Sequence, residues 1–315
     1  MKRPEHKWGV IVNPHSGKKI SLNKWDTIYY MLKKAEIHFD SLFTNAPGHA
    51  IVLAKNLVEN GYTKILVVGG DGTLNEVING IYSSDIDAQK KQEIIVSIIP
   101  SGTGNDWGRF WGIRRNAKKA VEYLHNGKTQ TIDLGLCTYS YREETMERYF
   151  INAAGCGFDG TVVHVTNFLK KFLGGRKWVY SFAVLATAFI YRTKKLELSF
   201  NDEIIHEKIY TLSIGNGCYT GGGIKQTPNA VPYDGVFDVS IVRKPSFFEI
   251  ISGLTFLFQG RLLEHPCVKS VQTTELSIAG GKKIMVEADG LMIEGDSTYT
   301  IQIIPNAIQM LVPNN

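Results

Sequence analysis

The chain has 315 residues, about twice the common domain size, which predicts two domains. A content of 43% hydrophobic and 21% charged residues excludes a disordered chain, and a net charge of +5 is too small to mark a nucleic-acid binder. Glycine is the outlier, at 31 residues against a usual ~7%, and it lacks the three-residue period of collagen.

In chain order, Trp8 to Val12 is a short apolar run that ends in the turn cluster Asn13-Pro14-His15-Ser16-Gly17. Residues 22–36 have helical spacing, with Trp25, Ile28, Tyr29, Leu32 and Ala35 on one face. His38 to Thr44 alternates as a strand does, and Ala50 to Glu59 reads as a helix stopped at Asn60-Gly61. Ile65 to Val68 is a buried strand that runs into Gly69-Gly70-Asp71-Gly72-Thr73, and Leu74 to Tyr82 continues as a helix. Ile94 to Ile99 is another buried strand, ending at Pro100-Ser101-Gly102-Thr103-Gly104-Asn105-Asp106. This alternation predicts an α/β domain, a parallel sheet with helices on its faces.

After Asp133 the pattern becomes β-rich, with strands predicted at 148–153, 196–201, 207–215, 236–242, 273–279, 283–288 and 298–304. Two helical stretches interrupt them, 162–191 and 246–263, and the second, Phe247 to Leu263, reads as core. Tyr139 to Arg148 is polar and charge-mixed, which predicts a domain boundary near 133–148. The expected division is 1–133 and 134–304, with the segment 305–315 returning to the first domain through a strand at Ala307 to Val312.

The cysteines Cys137, Cys156, Cys218 and Cys267 form no CxxC pair, and the eight histidines show no metal-binding spacing. A reduced, cytoplasmic chain is the expectation. No apolar run follows the basic start, so a secretory signal is not expected, and the longest apolar stretch, Trp178 to Tyr191, is short of the roughly 20 residues that span a bilayer.

Two glycine-rich loops each follow a buried strand and precede a helix. Such a junction aims backbone N–H groups and the positive helix end at one point, which suits a phosphate. The first loop adds the Asp71 carboxylate, for a metal or a proton, and the Thr73 hydroxyl, for a phosphate oxygen. The second adds Ser101, Thr103 and Asn105. Neither loop is a Walker A sequence or a GxGxxG fingerprint. In an open α/β sheet these strand ends lie on one edge, where ligands bind.

GGDGTLNEVING at 69–80, with NPHSG at 13–17 and PSGTGND at 100–106, resembles the diacylglycerol kinase catalytic-domain family, which includes bacterial lipid kinases, sphingosine kinases and ceramide kinases. NAAGCGFDG at 152–160, GNGCYTGGG at 215–223, PNAVPYDGVFDV at 228–239, ADG at 288–290 and IIPNAIQMLVP at 303–313 extend the likeness, in order, over essentially the whole chain. The resemblance implies a nucleotide-binding α/β domain like those of NAD kinases and phosphofructokinases, a β-rich, sandwich-like lipid domain, and a site between them. It implies ATP held by Asn13, Pro14, Ser16, Gly17 and Thr44, by Gly69, Gly70, Gly72, Thr73, Asn75 and Glu76, and by Ser101, Gly102, Thr103 and Asn105. It implies Mg²⁺ at Asp234 with the carbonyls of Val231 and Val236, and γ-phosphoryl transfer to a lipid hydroxyl. On this reading Asp71 is expected to support the metal–phosphate geometry and Asp289 to serve as the general base.

One residue departs from the family. The closing segment usually reads Asp-Gly-Glu, and here it reads Asp289-Gly290-Leu291, with Glu287 and Glu294 nearby. Glu287 and Asp289 would share a face of a strand.

Residues 160–196 contain no Asp or Glu but carry Lys170, Lys171, Arg176, Lys177, Arg192, Lys194 and Lys195 among aromatic residues. The segment 168–195 therefore reads either as a contact for anionic lipid at the inner face of the membrane or as an ordinary helix packed on the second domain. Edge strands of a β-rich domain offer a route to a homodimer. Two other functions stay open: an NAD-kinase-like transferase with a soluble substrate, and a nucleotide or lipid sensor without turnover.

Overall fold

The computed structural model describes residues 6–17, 22–113, 116–173, 177–280 and 284–314; the side chains of residues 22–24, 170–173, 177 and 189 lie outside the description. Contacts divide the chain into two units, 1–132 with 306–315, and 133–305.

The first unit is the α/β one. Its elements are β1 (Trp8–Val12), α1 (Leu22–Lys34), β2 (Phe39–Phe43), α2 (His49–Glu59), β3 (Lys64–Gly69), α3 (Asp71–Tyr82), α4 (Ala88–Glu93), β4 (Ile95–Pro100), α5 (Asp106–Phe110) and α6 (Ala117–Asn126). The strands run parallel in the order β2-β1-β3-β4. β1 is buried throughout, and β3 and β4 at all but their first residue, as expected of parallel strands covered on both faces. Chain order reverses between β1 and β3, so the loops after these two strands border the crevice where open α/β sheets bind ligands. Helices α2 and α3 approach so closely that a Cβ at Gly80 would stand 2.8 Å from Cβ of Ala54.

The second unit is β-rich. It contains β6 (Glu144–Phe150), β7 (Ala153–Gly157), α7 (Phe158–Leu173), α8 (Lys177–Ile190), β8 (Lys194–Phe200), β9 (Glu203–Gly215), β10 (Phe237–Arg243), α9 (Phe247–Phe258), β11 (Val268–Thr273), β12 (Glu275–Gly280), β13 (Val286–Ala288) and β14 (Leu291–Ile293). Two long strands, β5 (Lys128–Tyr141) and β15 (Thr298–Val312), contribute residues to both units. The pairings of the second unit are antiparallel. β9 pairs with β8 along its first half and lies between β7 and β10 along its second. One apolar core, with Leu212, Ile214, Val239, Ile241, Ile278 and Tyr299 in it, fills the interior. A smaller cluster joins α7, α8 and α9 through Phe158, Val162, Ala183, Val184 and Tyr210, with Ile250 and Leu254 packed against them.

Four expectations change. Tyr139 to Arg148 is no linker: it belongs to the β5–β6 hairpin, which turns at Arg142 and Glu143, both at positive φ. The helical stretch expected at 162–191 is two helices, α7 and α8, with residues 174–176 between them outside the description. The final strand is the end of the 15-residue β15. Helix α9, expected in the core, buries only Leu257 and leaves Phe247, Phe248, Ile251 and Phe258 exposed. Amphipathic spacing shows that a helix has an apolar face, not whether protein covers it. Of the basic residues expected at a lipid surface, Lys170, Lys171, Arg176 and Lys177 lie outside the described side chains.

Candidate active site

In the first unit, three loops meet at the carboxyl ends of β1, β3 and β4. The Asn13 backbone N–H bonds the Val68 carbonyl at 2.9 Å, and its side-chain amide donates to Oγ1 of Thr73 at 2.9 Å. Asn13 Oδ1 accepts the His15 N–H, an Asx turn that sets the loop. The Ser16 and Ser101 hydroxyls bond each other at 2.5 Å, and the Ser101 N–H donates to the Gly69 carbonyl at 2.7 Å. Gly70 and Gly102 touch backbone to backbone: a Cβ on Gly102 would stand 2.6 Å from Cα of Gly70. Thr44 adds its N–H to the Val12 carbonyl at the end of β2. Pro14, Gly17 and Thr103 stand in the same loops, partly or fully exposed.

The positive end of α3 opens onto this junction. Gly70 is its N-cap, no side chain caps it, and a Cβ at Gly72 would meet nothing within 4 Å. The site thus offers main-chain N–H groups, four hydroxyls and room for a close ligand, the chemistry of a phosphate cradle. Asn105 adds a further sign. It sits at φ 54°, donates to the Gly102 carbonyl at 3.0 Å, and its buried Oδ1 has no hydrogen-bond partner among the described residues.

Three of the expected nucleotide residues also serve the fold. Asp71 accepts the N–H groups of Asp106 and Trp107 at 3.1 and 3.3 Å and so caps α5. Both Glu76 oxygens accept N–H groups at the start of α2, from Gly48 at 2.9 Å and Ala50 at 3.1 Å. A carboxylate there is favoured by the helix dipole. Asn75 is fully buried and accepts from the Asn79 amide.

In the second unit, Asp289 and Gly290 form the two-residue turn between β13 and β14, at φ 48° and 79°. The Asp289 carboxylate accepts the N–H groups of Ile151, Asn152 and Ala153 at 2.8, 3.0 and 3.1 Å. These three charge-assisted bonds pin the turn to the start of β7. The expected base is therefore a fixture of the fold as well. Leu291, where the family has glutamate, is 36% exposed at the start of β14.

Two acids that the sequence reading gave no role lie beneath this turn. Glu287 is buried on β13 and accepts the Gly290 N–H at 2.8 Å. It is the register partner of Gly155 on β7, and Gly155 leaves room for Asp159, whose carboxylate oxygen is 3.0 Å from where a Cβ would be. Asp159 accepts from Ser213 and, at 2.7 Å, from Gln226. Burial pushes the Asp159 carboxyl up to about 6, against the pull of the Ser213, Thr211 and Gln226 bonds. Burial, then repulsion from Asp159 and Asp289, holds Glu287 well above the usual carboxylate range. Asp159 stood in a quoted glycine-rich motif, and Gly155 four residues before it was the available signal.

A hydrogen-bond path links this turn to Asp234. The Asn216 amide donates to the carbonyls of Ile151 and Asp133 at 2.7 and 2.9 Å, and the buried Asp133 accepts the Gly235 N–H at 2.8 Å. Asp234 itself accepts the Val236 N–H at 3.2 Å, and the Val231 carbonyl accepts the Tyr233 N–H at 2.8 Å. Burial and then the Asp133 charge push the Asp234 carboxyl up, while burial and then Asp234 push Asp238 up. Two carboxylates close enough to repel each other are an arrangement that a hard divalent cation would relieve. No group of three or more His, Cys, Asp or Glu side chains able to hold a metal gathers among the described residues.

Comparison with known proteins follows the division of the fold. Residues 7–137 match the diacylglycerol kinase catalytic domain, and residues 152–312 match the YegS C-terminal NAD kinase beta sandwich-like domain. A Bacillus subtilis protein named "Putative lipid kinase YtlR" is 28% identical over 96% of this chain and 98% of its own. A diacylglycerol kinase of Staphylococcus carnosus is 27% identical over 89% of this chain and 87% of its own. A crystal structure from Bacillus anthracis, described as a diacylglycerol kinase, superposes with a TM-score of 0.68 at 19% identity, over 98% of this chain and 97% of that one, which is a likeness of fold. With both domains matched and in order, the chain belongs to the diacylglycerol kinase catalytic-domain family and carries the YegS-type C-terminal domain.

Proposed function

We propose that this protein transfers the γ-phosphoryl group of ATP to a hydroxyl of a membrane lipid. The observation that carries the reading is the meeting of the Asn13, Gly70 and Gly102 loops at the uncapped N-terminus of α3, in a chain of a kinase family. The Gly69–Thr73 and Ser101–Asn105 loops bind the phosphates through main-chain N–H groups, and Ser16, Thr73, Ser101 and Thr103 add hydroxyls. Asp71 sets the approach of the phosphates through its hold on α5. Val231, Asp234 and Val236 hold Mg²⁺, which when bound supplies positive charge against the negative residues around it.

In the transfer, the lipid oxygen forms a bond to the γ-phosphorus as the bond to the β-phosphate oxygen breaks, and ADP leaves. The hydroxyl proton goes to Asp289, whose position three main-chain donors fix. A loose phosphoryl-transfer transition state asks little of a base, which accommodates both the tethered Asp289 and the replacement of the family glutamate by Leu291.

A cavity of about 690 Å³ in the second unit supports a chain-bearing acceptor over a soluble one. Val165, Leu196, Met292 and Ile293 stand in its wall, with His164 and Arg192 beside them. No helix among the described residues is long and apolar enough to cross a membrane. The protein in this reading works from the cytoplasm as a peripheral enzyme, with residues 168–195 toward the lipid.

Leu291 favours a second reading, a sensor that binds nucleotide without turnover. Incubation with labelled ATP and total lipid extract separates the two. A labelled lipid is the expected product, and identifying it names the substrate. ATP binding with no labelled lipid would establish the sensor instead.

A further inference from the structure

Nine of the 17 exposed large apolar side chains among the described residues lie on α7, α8 and α9, which makes a patch rather than a scatter. On α8, Trp178, Phe182 and Leu185 recur at i, i+4 and i+7 and face outward, while Val179, Ala183, Val184 and Ala188 are buried on the other side. On α9, Phe247, Ile251 and Phe258 form a second outward stripe beside Phe248, which is 80% exposed. The two helices pack against each other, and their inner residues share one small core.

Helix α9 is held in this attitude. Ser246 and Glu249 form a capping box at its start, and Cys267 donates to Glu249 at 2.8 Å. The Ser252 hydroxyl bonds the buried His265 at 2.8 Å. Exposure of the phenylalanines is thus built into an anchored helix.

Positive charge collects next to the patch. Ile190, 78% exposed, ends α8 just before Arg192, Lys194 and Lys195, and Phe247 and Phe248 follow Lys244 by three and four residues. The strand register gathers these charges. Lys195 pairs directly with Lys208, and the Lys244 N–H donates to the Lys208 carbonyl at 3.0 Å. Like charges placed opposite each other on a sheet are destabilising. The nearby carboxylates are engaged elsewhere, Glu207 with Arg243 at 2.8 Å and Glu197 with His206 at 3.3 Å. The fold thus keeps lysines 195, 208 and 244 together without a described ion-pair partner.

We propose that the outer faces of α8 and α9, with the Lys195–Lys208–Lys244 cluster, form the surface by which the protein docks on an anionic lipid bilayer. Aromatic and aliphatic side chains beside clustered lysines match the acyl boundary and the charged headgroups that adjoin in such a membrane. An acidic protein would satisfy the lysines but not two apolar stripes, and a second copy would bring like charges together. The proposal rests on a membrane lipid being the substrate, and it enlarges the expected contact from α7 and α8 to α9 and the strand ends.

The test is co-sedimentation of the full chain with phosphatidylcholine vesicles, with and without phosphatidylglycerol, alongside transfer to detergent-dispersed lipid. The expected result is binding that requires phosphatidylglycerol and falls with salt. The double variant Phe247→Ser with Phe248→Ser should lower partitioning about tenfold or more, since two exposed rings lose their burial in lipid. The double variant Lys195→Glu with Lys208→Glu should abolish the anionic preference, since each charge near such a surface is worth about fivefold. Both should keep the wild-type circular dichroism and rate on dispersed lipid. Absence of vesicle binding by the wild type, or equal binding by both variants, would overturn the surface even if the lipid kinase reading stands. A dimer lost on the phenylalanine substitutions would assign the patch to a second copy and overturn it too. Vesicle binding without labelled lipid would sink the kinase reading and leave the surface intact.

Discussion

Asp71 joins the fold and the chemistry in one side chain. Its carboxylate caps α5 through Asp106 and Trp107, so Asp71→Ala should lower stability by about 1 kcal/mol, the usual cost of a lost cap. Phosphoryl transfer should vanish while the circular dichroism stays native; unchanged transfer from labelled ATP would remove Asp71 from the site. Glu287 makes a different prediction. Its folded pKa lies above its unfolded one, so the stability tied to its neutral form is present at acid pH and lost as pH rises through the folded value. Asp159 behaves alike, losing its share between about pH 4 and 6. Glu287→Gln mimics the neutral acid and keeps an acceptor for the Gly290 N–H. Its urea midpoint should therefore match the wild type at pH 5 and exceed it increasingly toward pH 9. A lower midpoint for the Gln variant at every pH would mean that Glu287 is charged. Asp71 was legible in the sequence because a glycine-rich strand–helix junction announces it. Glu287 was legible only as an acid close to Asp289, and Asp159 was not, because what marks them is burial and each other, and the 127 residues between them conceal the pair.

At the level of elements, the junction loops depend on two glycines in opposite ways. A Cβ at Gly102 would collide with Cα of Gly70 at 2.6 Å, a backbone atom that cannot swing aside, and come within 3.1 Å of Asn105 Oδ1. Gly102→Ala should therefore part the loops, costing about 1–3 kcal/mol and weakening ATP binding together. A Cβ at Gly72 meets nothing in the protein and sits in the first turn of α3. Gly72→Ala should hold or slightly raise the melting temperature, yet weaken ATP binding, because the space it fills is where the nucleotide approaches. Thermal melts with and without ATP separate the two; equal ATP affinity in Gly72→Ala would move the nucleotide away from α3. The strands and helices of this unit were legible because their apolar runs end at glycine and proline. Short helices such as α5 and polar strands such as β6 carry no such run: the Asp71 side chain holds the first and pairing with β5 holds the second. Helix α9 was misread for the opposite reason, since its apolar spacing is the same whether protein or lipid is to cover it.

The whole chain is tied together by a strand that begins in one unit and ends in the other. Ala307, Ile308, Met310, Leu311 and Val312 of β15 are buried in the first unit, about 200 residues beyond the strand they join. Gln309 and Met310 pair with Ile95 and Val96 of β4, and the Tyr82 hydroxyl donates to the Ala307 carbonyl at 2.8 Å. Four large apolar side chains at about 1.5–3 kcal/mol each give roughly 6–12 kcal/mol. That is comparable to the entire stability of a domain, about 5–15 kcal/mol. A chain ending at Pro305 should therefore lose the first unit altogether, although every loop residue proposed to bind ATP is still present in its sequence. In hydrogen exchange, peptides from β3 and β4 should exchange as an unfolded chain does, and ATP should no longer raise the melting temperature. Peptides from β10 should stay protected, because the truncation removes nothing from the second unit. Protection of β3 with ATP still bound would show that residues 8–126 form a nucleotide domain without the returning strand. The three loops would then suffice for binding on their own unit, where the packing makes them dependent on the last ten residues of the chain.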